Sequence, residues 1–322
     1  MHIDVFNGDA DGICALLQLR LHQPVDSTLI TGVKRDIGLL KRVSANSGDR
    51  VTVLDISLEK NREPLLKLLD RQVDVFYVDH HQPGDIPHHS RLQTIIDTDA
   101  NICTSLLVDQ HLNHRYTAWA VTAAFGDNLA DSAVSAARRL DLTLDELDSL
   151  KKLGICLNYN GYGSAIEDLH FAPDELFRLL QGYTTPMDFM ADRPEVYRQL
   201  LDGYSTDMAM AEQTVAEFLS DHVAVFILPD EKWARRVSGV WSNELTNRHP
   251  ERAHAVLTHN REGGYLVSVR APLNNKSGAD QLCALFPGGG GRKAAAGINH
   301  LPYATLPDFI DALNKQYSRG NL

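Results

Sequence analysis

The chain has 322 residues, enough for two domains that each bury a core of their own. Its formal net charge of −11 argues against a protein that follows long nucleic acid through a broad basic surface. No apolar run approaches the length of a transmembrane helix, and the N-terminus shows no signal-peptide pattern. These features predict a cytoplasmic protein with neither a membrane nor a long nucleic acid as its partner.

The chain opens with a predicted strand, an acidic turn and a helix. Residues 2–6 form the strand, and the turn Asn7-Gly8-Asp9-Ala10-Asp11-Gly12 precedes the apolar helix. Acidic residues at a helix N-terminus are typical of a helix cap. The turn also matches the first half of a calcium-binding EF-hand loop. However, Gln18 stands where that loop requires a bidentate Glu, and a strand rather than a helix comes before it.

Strands and helices then alternate, which predicts a parallel sheet with right-handed crossovers. The strand at 50–54 ends on Asp55, and the strand that begins at Gln72 leads into Asp79-His80-His81. Ligands bind at the carboxyl edge of such sheets, and three strands bring acidic or imidazole groups to that edge. Adjacent imidazoles beside carboxylates are suitable ligands for a divalent transition metal.

After a short strand at 94–96 the chain is predicted to be largely helical up to about residue 210. Asp127 follows the predicted helix 116–125 and is either a C-terminal cap or a site residue. Residues 157–163, rich in Tyr, Asn and Gly, are predicted to form an irregular loop, either a surface turn or a platform for base stacking. Residues 192–218 are predicted to be a helical linker.

A second domain with a new series of strands is predicted at 219–322. Near its end, the glycines from Gly288 to Gly291 precede Arg292, Lys293 and a predicted Ala-rich helix. Glycines at a helix N-terminus let backbone N–H groups approach an anion, which favours a phosphate cradle over a flexible linker. The run lacks the GxxxxGK[ST] spacing of an NTP-binding loop.

Together these motifs resemble the DHH phosphoesterase superfamily, in the subfamily with a C-terminal DHHA1 domain. The motifs, in the family's order, are Asp9-Ala10-Asp11-Gly12, Asp55, Asp79-His80-His81, Asp127, and the glycine signature Gly288–Gly291 with Ala295-Ala296-Gly297, preceded by Ser268-Val269-Arg270. The resemblance implies an α/β fold with a parallel-sheet DHH domain, residues 1–191. The linker would join it to a smaller α/β DHHA1 domain, residues 219–322, with the active site in the cleft between the two domains.

The resemblance also implies two Mn²⁺ ions, with Mg²⁺ or Co²⁺ as substitutes. Asp55 would bridge the ions. Asp11, His80 and Asp127 would complete the shell of one ion, and Asp9 would bind the other. Two ions about 3.5–4 Å apart can share and deprotonate a water while they neutralise a phosphodiester.

Further roles are implied for the remaining motif residues. His81 would contact the scissile phosphate or aid proton transfer to the leaving oxygen, and Asp79 would orient a histidine. The glycine loop and its neighbours would hold the terminal phosphate or base of the substrate. These implied substrate-binding residues are Arg270, Gly288, Gly289, Gly290, Gly291, Arg292 and Lys293.

Three positions depart from the family pattern. Many members have His where Val5 stands, and exonuclease-like members have an acidic residue where this chain has Asn7. One ion thus lacks a strong ligand and would bind weakly or through Asn7 and water. The glycine signature usually continues with His, whereas Arg292 is a permanent cation that favours a phosphate or a guanine edge.

The expected activity is metal-dependent hydrolysis of very short RNAs or linear dinucleotides, such as pGpG, to mononucleotides, as in nanoRNases. Single-strand exonuclease and cyclic-dinucleotide phosphodiesterase activities are alternatives. A non-catalytic nucleotide sensor is the alternative outside the enzymes, because Val5 and Asn7 weaken one metal site. Dimers are common in this family, which makes a homodimer a candidate assembly, but no interface can be read from the sequence.

Overall fold

The structure, a computed structural model, describes residues 1–260 and 262–318. The chain divides into two compact units, Met1–Gly203 and Tyr204–Leu322, and each unit has its own sheet. Within the described ranges, no helix is both long enough and apolar enough to cross a membrane.

A five-stranded sheet, parallel throughout as predicted, forms the base of the first unit. Its strands are β1 (His2–Phe6), β2 (Thr28–Ile30), β3 (Arg50–Leu54), β4 (Asp74–Asp79) and β5 (Leu92–Ile96), in the spatial order β2-β1-β3-β4-β5. The register pairs Val5 with Val53 and Val53 with Tyr77, and all three side chains are completely buried. This row of buried apolar side chains across three strands shows that its face of the sheet is covered, as is typical of parallel sheets.

Helices supply the rest of the first unit. They are α1 (Ala10–His22), α2 (Arg62–Asp70), α3 (Thr104–His111), α4 (Thr117–Gly126), α5 (Ala130–Ala137), α6 (Leu144–Gly161), α7 (Pro173–Leu180), α8 (Pro186–Asp192) and α9 (Pro194–Ala211), the last of which contains the boundary between the units. The start of α6 is a capping box in which Thr143 and Glu146 satisfy each other's backbone N–H groups.

Two glycines let α6 pack closely against its neighbours. A Cβ atom at Gly154 would lie 2.0 Å from the carbonyl oxygen of Thr122 in α4. A Cβ atom at Gly161, the last residue of α6, would lie 2.9 Å from the Cα atom of Asp9. A larger residue at Gly154 would force α6 away from α4, and one at Gly161 would force it away from the turn that carries the first acidic motif.

Residues 157–163 do not form the predicted irregular loop, because α6 continues up to Gly161. Leu150, Leu153 and Leu157 are completely buried and lie on one helical face. Burial of this face outweighs the weak helix propensity of the polar residues that follow it. The range 192–218, predicted to be a helical linker, contains all of α9 and most of the strand Ala216–Leu219.

A six-stranded mixed sheet forms the second unit. Its strands are β6 (Ala216–Leu219), β7 (Val223–Leu228), β8 (Ala253–Asn260), β9 (Gly264–Arg270), β10 (Gly289–Gly291) and β11 (Ala295–Pro302), in the order β10-β11-β9-β8-β7-β6. Its helices are α10 (Lys232–Arg248), α11 (Ala279–Ala284) and α12 (Leu306–Ser318). The apolar core of the unit includes Val225, Leu257, Val267 and Phe309.

The prediction of an Ala-rich helix after the glycine run is wrong. We call β10 and β11 the glycine hairpin, since Gly289–Gly291 pair with residues 296–298 as antiparallel strands. At its turn, Arg292 N donates to Ala295 O and Ala295 N donates to Arg292 O, at 2.8 and 3.2 Å. Pairing of β11 with β9 outweighs the helix propensity of three alanines, which are too few to nucleate a helix. A phosphate cradle at a helix N-terminus is therefore not what this run forms.

Candidate metal centre

Three adjacent strands of the first sheet end at the candidate site. The ladder continues for one hydrogen bond beyond β1 and β3, since Asn7 N donates to Leu54 O and Asp55 N donates to Val78 O. Asp55 has a φ of 58°, a left-handed conformation that is uncommon for residues other than glycine. Because His80 directly follows β4, the sheet edge presents polar groups from three neighbouring strands.

The turn after β1 contributes two buried carboxylates. Asp9 is the N-cap of α1, as its Oδ1 accepts hydrogen bonds from the N–H groups of Asp11 and Gly12 at 3.0 and 3.1 Å. Asp11 accepts hydrogen bonds from the N–H groups of Thr104 and Ser105, at 2.8 and 2.7 Å, at the start of α3. Two helix N-termini therefore hold these carboxylates in place.

His80 has the orientation of a metal-binding histidine. Its Nδ1 lies 2.8 Å from the carbonyl oxygen of Ile102, which can only accept, so the proton is on Nδ1. The other ring nitrogen, Nε2, then faces Asp55 Oδ1 at 3.3 Å, and Asp11 Oδ2 and Asp127 Oδ2 at 3.8 Å each. A histidine whose second nitrogen is held by a carbonyl is the usual arrangement at a metal.

The residues around His80 fit one divalent ion. Ligand atoms of Asp11, His80 and Asp127 lie within 4.8 Å of one another, and so do those of Asp55, His80 and His81. We call Asp11, Asp55, His80 and Asp127 the metal cluster. Carboxylate and imidazole ligands suit Mn²⁺ and similar ions.

Electrostatic repulsion in the cluster favours a bound cation. The side chains of Asp9, Asp11, Asp55 and Asp127 are each 7% exposed or less. Burial raises the pKa of Asp55 well above its usual range, and the carboxylates of Asp9, Asp11 and Asp127 raise it further. A divalent ion would relieve this repulsion and keep the carboxylates ionised.

His81 forms a separate pair with Asp79. The Nδ1 atom of His81 lies 2.7 Å from Asp79 Oδ1 and 3.9 Å from Asp55 Oδ1. Asp79 is completely buried, whereas the His81 side chain is 29% exposed. The pair thus places an oriented, accessible imidazole beside the metal cluster.

Lys34 is a residue of the site that the sequence analysis missed. Its ammonium group forms a short ion pair with Asp9 and lies 2.9 Å from Asn158 Oδ1 and 3.5 Å from Asp127 Oδ1. Burial acts to lower the pKa of Lys34, but Asp9 and the other nearby acidic groups raise it above its usual range. Burial acts to raise the pKa of Asp9, yet Lys34 lowers it below its usual value.

A signal for Lys34 is present in the sequence. Lys34 comes shortly after β2, which lies beside β1 in the same parallel sheet. It therefore belongs to the same carboxyl edge as the acidic motifs. Asn158 could not be found in this way, because it reaches Lys34 from α6 only through tertiary packing.

The substrate-binding residues predicted in the second unit surround the glycine hairpin. Arg270 lies on β9, paired with Ala295, and its Nε donates to Asn243 Oδ1 of α10 at 2.6 Å. A Cβ atom at Gly290 would meet nothing within 4 Å, so its backbone is accessible. Lys293 in the turn is exposed.

No protein-family model and no curated protein matches the chain. Several solved structures are similar to the chain. A DHH domain from a protein described as a member of a family of ribosomal proteins has a TM-score of 0.66 at 12% identity, over 98% of this chain and 85% of that one. The exonuclease RecJ bound to manganese has a TM-score of 0.60 at 18% identity, over 99% and 90%. A pGpG-specific phosphodiesterase, PggH from Vibrio cholerae, has a TM-score of 0.55 at 14% identity, over 98% of each chain.

The chain therefore shares its fold with a DHH domain and with RecJ, and it has a parallel sheet in the first unit and a mixed sheet in the second. The structures that share this fold include an exonuclease and a dinucleotide phosphodiesterase. One fold can act on different substrates, because the residues of the site determine the function.

Proposed function

We propose that the chain is a metal-dependent phosphodiesterase that hydrolyses linear dinucleotides such as pGpG, or very short RNAs, to mononucleotides. The observation that carries the proposal is the position of His80 Nε2, which faces three carboxylates of the metal cluster at 3.3 to 3.8 Å. A site of this composition suits a divalent ion, and divalent ions commonly catalyse phosphodiester hydrolysis.

The metal cluster would hold Mn²⁺, with Mg²⁺ or Co²⁺ as substitutes. When bound, the ion would polarise a phosphoryl oxygen and activate a water molecule. His81, whose Nδ1 is engaged by Asp79, would use Nε2 to transfer a proton to the leaving oxygen. Asp79 would act as a positioning residue, because it fixes the orientation of the imidazole.

Two observations support a short substrate. The net charge of −11 disfavours a long polyanion, whose binding depends on many phosphate contacts. PggH, which shares the fold over 98% of both chains, is described as specific for pGpG. In the second unit, Arg270, Arg292 and Lys293 with the glycine hairpin would hold the terminal phosphate or base of the substrate.

The test is turnover of a substrate panel by the purified protein with Mn²⁺. The panel contains pGpG, pApA, a short RNA, cyclic di-GMP and a long single-stranded DNA, and products are separated by chromatography. We expect mononucleotides from the dinucleotides and the short RNA, lost in Asp55→Ala and His80→Ala. The matched control is His22→Ala, which removes an exposed histidine at the end of α1 and should keep full activity. Degradation of the long DNA would instead favour an exonuclease.

A non-catalytic nucleotide sensor is a second candidate, favoured by Val5 and by the ion pair between Lys34 and Asp9. Such a protein would bind pGpG in calorimetry but release no product with Mn²⁺, Mg²⁺ or Co²⁺. That combination of results would replace the enzyme proposal.

A further inference from the structure

We infer that Lys34 takes the place of a second metal ion, so that this site binds one divalent ion beside a fixed ammonium group. The inference rests on the proposed function in one respect, the use of a divalent ion by the metal cluster. It changes the expected composition of the site from two ions to one.

The two sides of the site differ in which ligand atoms they offer. On the His80 side, the imidazole nitrogen that is not bonded to Ile102 O faces three carboxylates. On the Asp9 side, both carboxylate oxygens are engaged. Oδ1 accepts the hydrogen bonds of the helix cap, and Oδ2 is paired with the ammonium group of Lys34. A second ion bound by Asp9 would have to displace this ammonium group.

Lys34 is held in position by both its backbone and its side chain. Its N–H donates to Gly161 O at 2.8 Å, and its carbonyl accepts from Asn7 Nδ2 at 3.2 Å. The ammonium group bonds Asn158 Oδ1 and lies 5.4 Å from the centre of the Tyr162 ring. Since its side chain is only 20% exposed, Lys34 is part of the built site rather than a surface lysine.

Ligands for a second ion are also scarce on this side. Val5 is completely buried, and its side chain has no atom that could coordinate a metal. Asn7 is 4% exposed and its Oδ1 has no hydrogen-bond partner, but it is a neutral ligand. Apart from Asp55, which the two ions would share, the second site would have one carboxylate that is engaged by lysine and one neutral amide, and such a site binds a second divalent cation poorly.

The charge arrangement has a chemical consequence. The carboxylates of Asp9, Asp11, Asp55 and Asp127 are opposed by one ammonium group, so a single divalent ion leaves only one excess negative charge. The ammonium group would share in neutralising the phosphodiester, which is an electrostatic part of what a second ion does. It cannot activate water as an ion does, so that step would depend on the metal cluster alone.

The experiment is to count Mn²⁺ ions per chain, by equilibrium dialysis with elemental analysis, and to record the electron paramagnetic resonance spectrum of the loaded protein. We expect one Mn²⁺ per chain and the spectrum of an isolated ion. Lys34→Ala should bind a second Mn²⁺ and show coupling between two ions, because it frees Asp9 and opens space beside Asp127 and Asn158. Lys67→Ala is the matched control, since it also removes a lysine from an ion pair, with Glu63, but on the surface of α2.

Each outcome decides the inference independently of catalysis. Two coupled ions in the unaltered protein would overturn it, even if pGpG were hydrolysed. No bound ion in the unaltered protein would overturn it as well. A single ion in both the unaltered protein and a folded Lys34→Ala variant would show that Lys34 is not what excludes the second ion. Failure of the proposed function appears separately, as one bound ion without turnover of any substrate.

Discussion

The metal cluster of the first unit and the glycine hairpin of the second unit are built in opposite ways. In the metal cluster, every side chain is 7% exposed or less and is placed by helix ends or by the sheet. In the hairpin, Gly290 borders open space and Lys293 is exposed. The first region offers fixed side chains and the second offers accessible backbone.

This difference indicates how each region would work. Buried carboxylates are tolerated only with hydrogen-bond or ionic partners, so their positions are specified before any ligand binds. An exposed hairpin has no such requirement, and its contacts with a ligand would add affinity rather than define the chemistry. Changes in the cluster should therefore affect catalysis, whereas changes in the hairpin should affect substrate binding.

The largest expected effect comes from removing one charge of the metal cluster. Asp55→Asn should lower kcat/KM for pGpG with Mn²⁺ by about 10²–10³-fold, because electrostatic stabilisation of the transition state is lost. The metal-free variant should be at least as stable as the unaltered protein, since burial and neighbouring carboxylates raise the pKa of Asp55 and disfavour its charge. Steady-state rates and thermal unfolding measure the two effects. A large loss of stability in Asp55→Asn would show that its charge is structural.

A pair of glycine substitutions tests the difference in packing. Gly154→Ala should destabilise the chain by about 1–3 kcal/mol, because the new methyl group would lie 2.0 Å from Thr122 O. Gly290→Ala, which meets nothing within 4 Å, should change stability by less than about 0.5 kcal/mol. Denaturant unfolding measures both. If Gly154→Ala were stabilising, as helix propensity alone predicts, α4 and α6 could not be in such close contact at this position.

A smaller effect is expected from the hairpin. Arg292→Ala should raise KM for pGpG about 10-fold, or about 1.4 kcal/mol, and leave kcat and stability nearly unchanged. Lys276→Ala, an exposed lysine in the same unit, is the control and should leave KM unchanged. A loss confined to kcat would contradict the assignment of the hairpin to substrate binding.

The last expected effect is a dependence of stability on pH that arises in the second unit. Burial of His254 lowers its pKa from 6.5 to about 4. Between these values the unfolded chain binds a proton that the folded chain does not, so stability should fall as the pH decreases from 6.5 to 4. Unfolding of the metal-free protein over this range should show a weaker slope in His254→Gln. His222→Gln, an exposed histidine, should leave the slope as it is.

Much of the first unit could be predicted because its signals are local. Alternating strands and helices predict a parallel sheet, and polar residues at strand ends predict which groups share an edge. The position of Asp55 and the helix cap at Asp9 follow from the sequence in this way. The tautomer of His80 does not, because it depends on the carbonyl of Ile102, which lies far along the chain.

The glycine run shows the opposite case. Its residues have no side chains whose pattern could distinguish a loop, a helix start or a strand, and the three alanines favoured a helix. The alanines form a strand because β11 pairs with β9, a segment that is distant in the sequence. The prediction of an irregular loop at 157–163 is wrong for a similar reason. α6 packs against α4, and this burial favours the continuation of the helix up to Gly161.

The alternation of strands and helices, the acidic edge and the resemblance to a metal-dependent family are encoded locally, through side-chain periodicity and turn chemistry. Tertiary structure alone brought the ammonium group of Lys34 against Asp9 and Asn158, and directed His80 Nε2 toward three carboxylates. The physical reason is that both features bring polar groups from distant segments into one buried site. The net charge of that site, which governs how many ions it would bind, is set only when the chain is folded.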